Sequence, residues 1–194
     1  MKVLLIDCIS EKLNIDTYKA VDKLIEGLSK FNLEIQKVKV HDLDIKPCYG
    51  CTSQSSFSYD TKCRCDDDMN NLYPLFRESE IWIFATHINT NGSTEYLKNL
   101  LDRLEPLFQP AYIYDNVNSG IPDIKTNGKI MMISSYEIEA AGIARNISEY
   151  IDSLGLLFSK DIAENILFDA NRLDNTRLEM IYNAGLKLGE YSGN

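Results

Sequence analysis

Four cysteines in the middle of the chain are the strongest candidates for a metal or redox site. Cys48 and Cys51 form a Cys-x-x-Cys pair, and Cys63 and Cys65 follow it before an acidic segment. Two thiolates at such a short spacing can share one tetrahedral metal ion or one edge of a cluster. We therefore predict these four cysteines as candidate metal ligands. Three interpretations stay open: an iron–sulfur centre, a structural zinc or a redox disulfide, and reduced cysteines with no ligand role.

The composition restricts the partners and the compartment. The chain has 194 residues, 44% of them hydrophobic, which is enough for one domain over residues 1–194 with a cysteine-containing loop at about 42–65. A net charge of -9 argues against nucleic acid and membrane partners, because phosphates attract clustered Lys and Arg. No apolar stretch approaches the roughly 20 residues of a spanning helix, and the run after Met1 is too short for a secretion signal. We expect a cytoplasmic protein with reduced or metal-bound cysteines, and expect Cys8 to be a small buried hydrophobe.

The hydrophobic periodicity predicts five strands that alternate with five helices. The predicted strands are Lys2–Asp7, Leu33–Val40 at a sheet edge, Ile81–Thr86 and Lys129–Ser134, with the fifth in the apolar stretches around Leu156–Phe158 and Ile166–Phe168. The predicted helices are Thr17–Phe31, one that starts at aspartates 66–68, Ser93–Leu107, Glu137–Leu154 and Asp174–Tyr191. This alternation favours the doubly wound α/β class, with a parallel sheet, helices on both faces and ligands at the carboxyl ends of the strands.

The aspartates and aromatic residues have simpler interpretations than ligand binding. Residues 66–68 are expected to cap a helix and to favour its dipole rather than to bind a hard metal ion. Trp82 is expected in the core. Tyr112 and Tyr114 lie in a second long loop, Phe108–Asn127, which could cover a ligand, and their rings could stack on it or contact a partner subunit.

Two segments resemble a known family. Thr86–Ser93 followed by Leu97-Lys98-Asn99-Leu100-Leu101-Asp102-Arg103 resembles the Pro-x-Tyr-x-x-x-x-Ser-x-x-Leu-Lys-x-x-x-Asp-Arg segment of the NADPH-dependent FMN reductase family. Cys48-x-x-Cys51 followed by Cys63-x-Cys65-x-Asp67-Asp68-Met69 resembles the cysteine-rich loop of its iron–sulfur flavoprotein branch. The resemblance implies a flavodoxin-like five-stranded sheet and an FMN-dependent oxidoreductase or electron-transfer flavoprotein. It also implies NAD(P)H or a protein as electron donor, a small-molecule or protein acceptor, an iron–sulfur cluster as a possible second cofactor, and a dimer or tetramer.

The same resemblance implies where FMN would bind. Backbone N–H groups and hydroxyls can hold a flavin phosphate without a lysine. The implied phosphate contacts are Ser10, Asn14 and Thr17; the implied ring contacts are Thr86, His87, Ile88, Asn89, Gly92, Ser93, Ser134, Ser135 and Tyr136. No side chain is expected to be a catalytic acid, because the flavin itself carries the chemistry.

The chain departs from the family pattern at several places, and three of them bear on the proposed alternative. Asp7 replaces a glycine before the phosphate loop, His87 stands where the family usually has proline, and Ser134–Ser135 lies where the family tends to have glycines. A carboxylate near a phosphate is unfavourable, whereas an imidazole could donate a hydrogen bond to a flavin or simply be solvated. The departures leave an alternative open: a flavodoxin-like scaffold with a decayed flavin site that acts as a metal-binding or interaction module.

Overall fold

The computed structural model describes residues 1–10, 15–50, 63, 65–93, 95–107 and 128–191, without the side chains of Ser93 and Glu105. Asn14 and Cys51 lie outside the described residues, as do Tyr112 and Tyr114 of the second long loop. Among the helices that are described, none is both long and apolar enough to cross a bilayer.

A mostly parallel sheet forms the centre of the fold. The strands are β1 Lys2–Asp7, β2 Glu34–Lys39, β3 Ile81–Asn89, β4 Gly92–Ser93, β5 Lys129–Tyr136, β6 Asp161–Ile162 and β7 Ile166–Asp169. The helices are α1 Ile15–Leu28, α2 Met69–Glu78, α3 Glu95–Asp102, α4 Ala141–Leu157 and α5 Asn175–Glu190, with short 3-10 turns at Val40–Asp42, Glu105–Leu107 and Ile138–Ala140. The spatial order is β2-β1-β3-β5-β6, with β7 also paired to β5. This order confirms the doubly wound, flavodoxin-like class and places β2 at an edge, as predicted.

The helices cover both faces of the sheet. On one face, α1 and α5 pack against the odd-numbered side chains of β1, β3 and β5, such as Leu5, Ile83 and Met131. On the other face, α2, α3 and α4 pack against even-numbered residues such as Trp82 and Phe84. Central strands covered on both faces need apolar residues at nearly every position, which is why β1 and β3 are almost uninterrupted hydrophobic runs. Trp82 is in the core, as expected, and donates its indole N–H to the carbonyl of Phe76.

The fifth strand position differs from the prediction. Residues 156–157 are the exposed end of α4 and not a strand, whereas the stretch at 166–168 does lie in β7. β6 and β7 both pair in parallel with β5, and Asn165 between them fills the gap in the ladder by accepting the N–H of Met132 at 2.7 Å. An apolar helix end and a short apolar strand give the same local sequence pattern, so periodicity alone does not separate them.

Two predicted boundaries also move. β3 continues through Asn89 and returns as β4, so His87 and Ile88 are strand residues rather than loop residues. The helix expected from residue 93 begins at Glu95 and ends at Asp102. The helix after the aspartates begins at Met69, but Asp68 does not cap it with its side chain, which instead accepts the backbone N–H of Asp44 at 2.8 Å.

Candidate functional site

The carboxyl ends of β3 and β5 bring two polar segments side by side. In the parallel register, Thr86 pairs with Ser134, His87 with Ser135 and Ile88 with Tyr136. Because successive side chains of a strand point to opposite faces, His87 and Ser135 share the face that α1 covers, and Thr86 and Ser134 share the other. The structure therefore joins two segments that the sequence analysis selected separately.

On the α1 face, a hydrogen-bonded chain crosses three elements. The hydroxyls of Thr17 in α1 and Ser135 in β5 lie 2.5 Å apart, and the Ser135 hydroxyl lies 2.8 Å from Nδ1 of His87 in β3. Thr17 and Ser135 are buried, whereas His87 is half-buried. Burial lowers the pKa of His87 below its ordinary value, against an opposing effect of the Glu137 carboxylate. The imidazole is therefore biased towards its neutral form.

On the opposite face, the polar residues are buried against the core. Thr86, Ile88 and Ser134 are fully buried, and the Ser134 hydroxyl donates to the carbonyl of Ser135 at 2.9 Å. Tyr136 is half-buried and packs against the same hydrophobic cluster as Ile88. Because their side chains face the core, these residues can offer a ligand their backbone groups but no exposed hydroxyls.

The tight turn between β3 and β4 has the backbone geometry of a close-approach loop. The side-chain oxygen of Asn89 accepts the N–H of Asn91 at 2.9 Å, and Gly92 has a φ of 105°. An Asn that bonds to the backbone two residues later fixes such a turn, and a glycine tolerates a φ that other residues rarely adopt. Ser93 lies in β4, and its side chain is outside the described residues.

The turn after β1 buries the carboxylate of Asp7. The Asp7 carboxylate is fully buried, lies 3.1 Å from Nζ of Lys37 in β2, and accepts the N–H of Ile9 at 3.1 Å. The lysine balances its charge, so Asp7 does not present an uncompensated carboxylate to a phosphate held by this turn. Ser10 follows as a half-buried hydroxyl at the start of the loop. The described part of this turn is therefore compatible with FMN.

Cys8 contributes to the core rather than to the site. Its side chain is fully buried, and burial, with a smaller effect of the Asp7 carboxylate, raises the pKa of its thiol well above the ordinary value. A thiol with a raised pKa is a poor nucleophile and a poor metal ligand. This agrees with the expectation of a small buried hydrophobe.

The described cysteines of the loop are partly buried thiols. Cys48 accepts the N–H of Gly50 on its sulfur at 3.4 Å, and Gly50 has a φ of 58°. Burial raises the pKa of the Cys63 thiol, but hydrogen bonding from Cys65 and the charge of Arg103 outweigh it and lower that pKa overall. The neighbouring Cys65 thiol has a raised pKa, first from burial and then from the Cys63 charge. Among the described residues, no group of three or more potential metal ligands meets.

A buried ion pair holds the chain that leads into α2. Both Asp67 oxygens bind the Arg103 guanidinium, at 2.7 and 2.9 Å, and they also accept the backbone N–H groups of Lys46 and Met69. Burial would raise the pKa of Asp67, but the hydrogen bonds from Arg103 and the backbone lower it overall. Arg103 belongs to the segment that carries the family resemblance, so this contact gives part of that segment a structural role.

Several of these contacts were not anticipated from the sequence. The Asp7–Lys37 pair, the Asp67–Arg103 pair and the contact of Thr17 with Ser135 each join residues from different elements. Only Asp67 carried a local signal, its place before a helix, and that signal suggested a cap rather than an ion pair. A single sequence carries no sign of the other partners.

Comparison with known proteins identifies the family. The family model described as NADPH-dependent FMN reductase matches residues 1–171. The chain therefore belongs to the NADPH-dependent FMN reductase family. A curated relative, an iron–sulfur flavoprotein of Methanocaldococcus jannaschii, is 24% identical over 92 residues, which are 47% of this chain and 46% of the relative. The match thus spans less than half of that relative's length.

Solved structures share the fold at low sequence identity. A flavone reductase has a TM-score of 0.72 and 16% identity over 100% of this chain and 64% of its own. An FMN-dependent NADH-azoreductase of Bacillus anthracis, solved with FMN, has a TM-score of 0.63 and 12% identity over the full length of both chains. At these identities the likeness shows the fold, and it confirms the flavodoxin-like class.

Proposed function

We propose that this protein is an FMN-dependent oxidoreductase that binds FMN non-covalently at the carboxyl ends of β1, β3 and β5 and takes electrons from NAD(P)H. The observation that carries the proposal is the meeting of Thr17, Ser135 and His87 at that edge of the sheet. In doubly wound folds, ligands bind at the carboxyl edge where the strand order reverses. Membership of the FMN reductase family supplies the identity of the ligand.

In this proposal the turn after β1 holds the phosphate. Ser10, Asn14 and the backbone at the start of α1 are the proposed donors. Thr17, the third phosphate contact that the resemblance implied, is buried, and its hydroxyl contacts Ser135, so in this proposal it fixes the first turn of that helix against β5. The positive end of the helix dipole favours a dianion there. Because Lys37 already balances Asp7, the local charge does not oppose the phosphate.

The proposed ring contacts come from the other two strand ends. They are Thr86, His87, Ile88 and Asn89 of β3, Gly92 and Ser93 of β4, and Ser134, Ser135 and Tyr136 of β5. Ile88 is fully buried beneath these strand ends, and Gly92 allows the backbone to come close to a flat ring. FMN, when bound, supplies the hydride and electron chemistry, and the protein positions it and sets the surrounding hydrogen bonds.

FMN loading tests the proposal. The purified protein is saturated with FMN, passed through a desalting column, and assayed for bound flavin and for oxidation of NADH and NADPH. We expect one tightly held FMN and oxidation of at least one nucleotide. A protein that retains no FMN would favour the alternative of a decayed site, and one that retains FMN without oxidising either nucleotide would favour a pure electron carrier.

A pair of glycine variants locates the site. Gly92→Ala places a side chain at a φ of 105° in the β3–β4 turn, whereas Gly142→Ala adds a methyl group to α4 where nothing lies within 4 Å. We expect Gly92→Ala to weaken FMN binding and Gly142→Ala to leave it unchanged, because only the first strains the ring-binding turn. Equal FMN affinity in both variants would argue against this location.

We further propose that Cys48, Cys51, Cys63 and Cys65 hold an iron–sulfur cluster. The supporting observations are the likeness to an iron–sulfur flavoprotein and the N–H group of Gly50 aimed at the Cys48 sulfur, a contact that tunes cluster potentials. Protein purified without oxygen should contain iron and acid-labile sulfide, and Cys48→Ser should remove both, whereas Cys8→Ala should not. Zinc alone, or no metal in the wild type, would support one of the two other interpretations of these thiols.

The remaining expectations are proposals of the same kind. A dimer or tetramer, a cytoplasmic location, a small-molecule or protein acceptor and a single domain over residues 1–194 follow from the sequence and the family. Light scattering of the FMN-loaded protein checks the oligomer, since a monomer at micromolar concentration would exclude it.

A further inference from the structure

The hydrogen-bonded chain at the site has a direction that can be worked out from its hydrogens. The Ser135 hydroxyl lies between the Thr17 hydroxyl and Nδ1 of His87, and each contact needs one hydrogen. Ser135 has a single hydroxyl hydrogen, so it can donate to only one of its two neighbours. Three arrangements satisfy both contacts when the imidazole is neutral, because the Ser135 oxygen can also accept two hydrogens.

In the first arrangement, Thr17 donates to Ser135, and Ser135 donates to Nδ1 of His87. The imidazole hydrogen is then on Nε2. In the second, Nδ1–H donates to Ser135 and Ser135 donates to Thr17, which leaves the Thr17 hydroxyl hydrogen in need of another acceptor. Within the described residues, Thr17 has no such acceptor, and its side chain is buried. In the third, Thr17 and Nδ1–H both donate to Ser135, whose own buried hydroxyl hydrogen then has no acceptor among the described residues. A buried donor without an acceptor is costly, so the first arrangement is favoured.

The outer nitrogen of His87 is the open end of the chain. Nδ1 is bonded inward to a fully buried hydroxyl, and the residue as a whole is half-buried. Nε2 has no partner among the residues that the structure describes. His87 is at the end of β3 beside β5, the edge at which the proposed FMN site lies. A nitrogen fixed in this way offers a ligand one hydrogen-bond donor.

We propose that Ser135, whose hydroxyl also accepts a hydrogen bond from Thr17, is a positioning residue that holds His87 as its Nε2–H tautomer, so that Nε2 donates a hydrogen bond to an acceptor atom of the bound flavin ring. The inference rests on the proposed function for the identity of the ligand, but the tautomer is a property of the protein alone. Without the Ser135 hydroxyl, the ring has no reason to prefer one tautomer and can turn about its side-chain bond.

Imidazole nitrogen NMR on the ligand-free protein tests the proposed tautomer of His87. The chain has 2 histidines, so the signals of His87 can be assigned by substitution, with His41 as an internal control. Above the ordinary imidazole pKa of about 6.5, we expect Nδ1 of His87 to give the shift of an acceptor nitrogen and Nε2 that of an N–H nitrogen. A wild-type His87 in the opposite tautomer, or one that averages both, would overturn the inference.

Matched substitutions separate positioning from general structural support. Ser135→Ala should shift the His87 signals towards a tautomer mixture, and Ser135→Thr should keep the wild-type pattern because it retains the hydroxyl. Thr17→Val should keep the wild-type tautomer, because Nδ1 of His87 remains the acceptor for the Ser135 hydrogen. If Ser135→Ala folds poorly, the tautomer of His87 in the wild-type protein still decides the inference. An unchanged His87 pattern in a folded Ser135→Ala protein would contradict the positioning role.

Titration with FMN tests the proposed hydrogen bond from Nε2 of His87 to the flavin ring. FMN should move the Nε2 signal of His87 while His41 stays in place, and His87→Leu should weaken FMN binding about three- to tenfold, the effect of one neutral hydrogen bond. If FMN binds with an unmoved Nε2 signal and unchanged affinity in His87→Leu, the inference fails and the proposed function stands. If FMN does not bind the wild type, the proposed function and the ring contact both fail, and the tautomer result still decides the positioning role.

Discussion

The groups around Asp67 and those around His87 form two buried polar networks that end differently. The Asp67 carboxylate accepts four hydrogen bonds, two from Arg103 and two from backbone N–H groups, which is about the full capacity of an ionised carboxyl group. The chain through Thr17 and Ser135 stops at Nε2 of His87, where no described residue provides a partner. In the first network every acceptor position of the carboxylate is used, although the buried Nε of Arg103 has no hydrogen-bond partner among the described residues, whereas the second network ends at a half-buried imidazole.

This difference separates a structural role from a binding role. The Asp67–Arg103 network fixes the loop before α2 against the end of α3, and its carboxylate has no acceptor position left for a ligand. An incomplete network at the carboxyl edge of a doubly wound sheet leaves a donor where ligands of this fold class bind. Both networks hold groups of perturbed pKa, so a shifted pKa alone does not identify the functional site.

Removing Arg103 from its ion pair with Asp67 should have the largest effect on stability. Arg103→Met leaves the Asp67 carboxylate buried without its cation, and we expect a loss of about 3–5 kcal/mol in the free energy of unfolding. Urea unfolding followed by circular dichroism measures it. A loss below about 1 kcal/mol would mean that the pair is solvated in solution and that the contrast between the networks is false.

Shortening the open network should cost less. Ser135→Ala removes the central hydroxyl and leaves the buried Thr17 hydroxyl unpaired, so we expect a loss of about 1–3 kcal/mol in the free energy of unfolding. Ser153→Ala on the exposed face of α4 is the matched control and should change stability by less than about 0.5 kcal/mol. Equal unfolding midpoints for the two variants would show that the Thr17–Ser135 contact does not stabilise the fold.

The pH dependence of the free energy of unfolding should reflect the lowered pKa of His87. Its pKa is lower in the folded protein than the ordinary 6.5, so between these two pKa values the unfolded chain binds more protons than the folded one. Stability should therefore fall as the pH is lowered from 6.5 through the folded-state pKa of His87. His87→Asn should flatten this part of the profile of urea midpoints against pH. A wild-type midpoint that rises on acidification through this window would contradict the lowered pKa.

An exposed ion pair should matter least. Lys98 and Asp102 form a salt bridge on the surface of α3, with side-chain exposures of 68% and 39%. We expect Lys98→Met to change the free energy of unfolding by less than about 1 kcal/mol, because solvent screens both charges. Thermal or urea unfolding checks it beside Arg103→Met, and a comparable loss in both would remove burial as the reason for the difference.

The sequence predicted more of the fold than of the site. The runs that became β1, β3 and β5 are apolar on both faces, and that pattern is local, so it predicted the strands and with them the parallel sheet. It failed around residues 156–158 because the apolar end of α4 resembles a strand. It also assigned His87 to a loop, because the extension of β3 through Asn89 depends on pairing with β5 and β4.

For this protein, the α/β class, the family and the candidate site residues could be predicted from the sequence, because each of these predictions uses residues that are close together in the chain. Which of those residues form hydrogen bonds or ion pairs with one another depends on the tertiary structure. Thr17 and Ser135 are 118 positions apart, and His87 is 48 from Ser135, yet they form one hydrogen-bonded chain. Lys37 likewise neutralises Asp7 only because β2 lies beside β1. Contacts of this range depend on the packing of the sheet and α1, which no local pattern encodes.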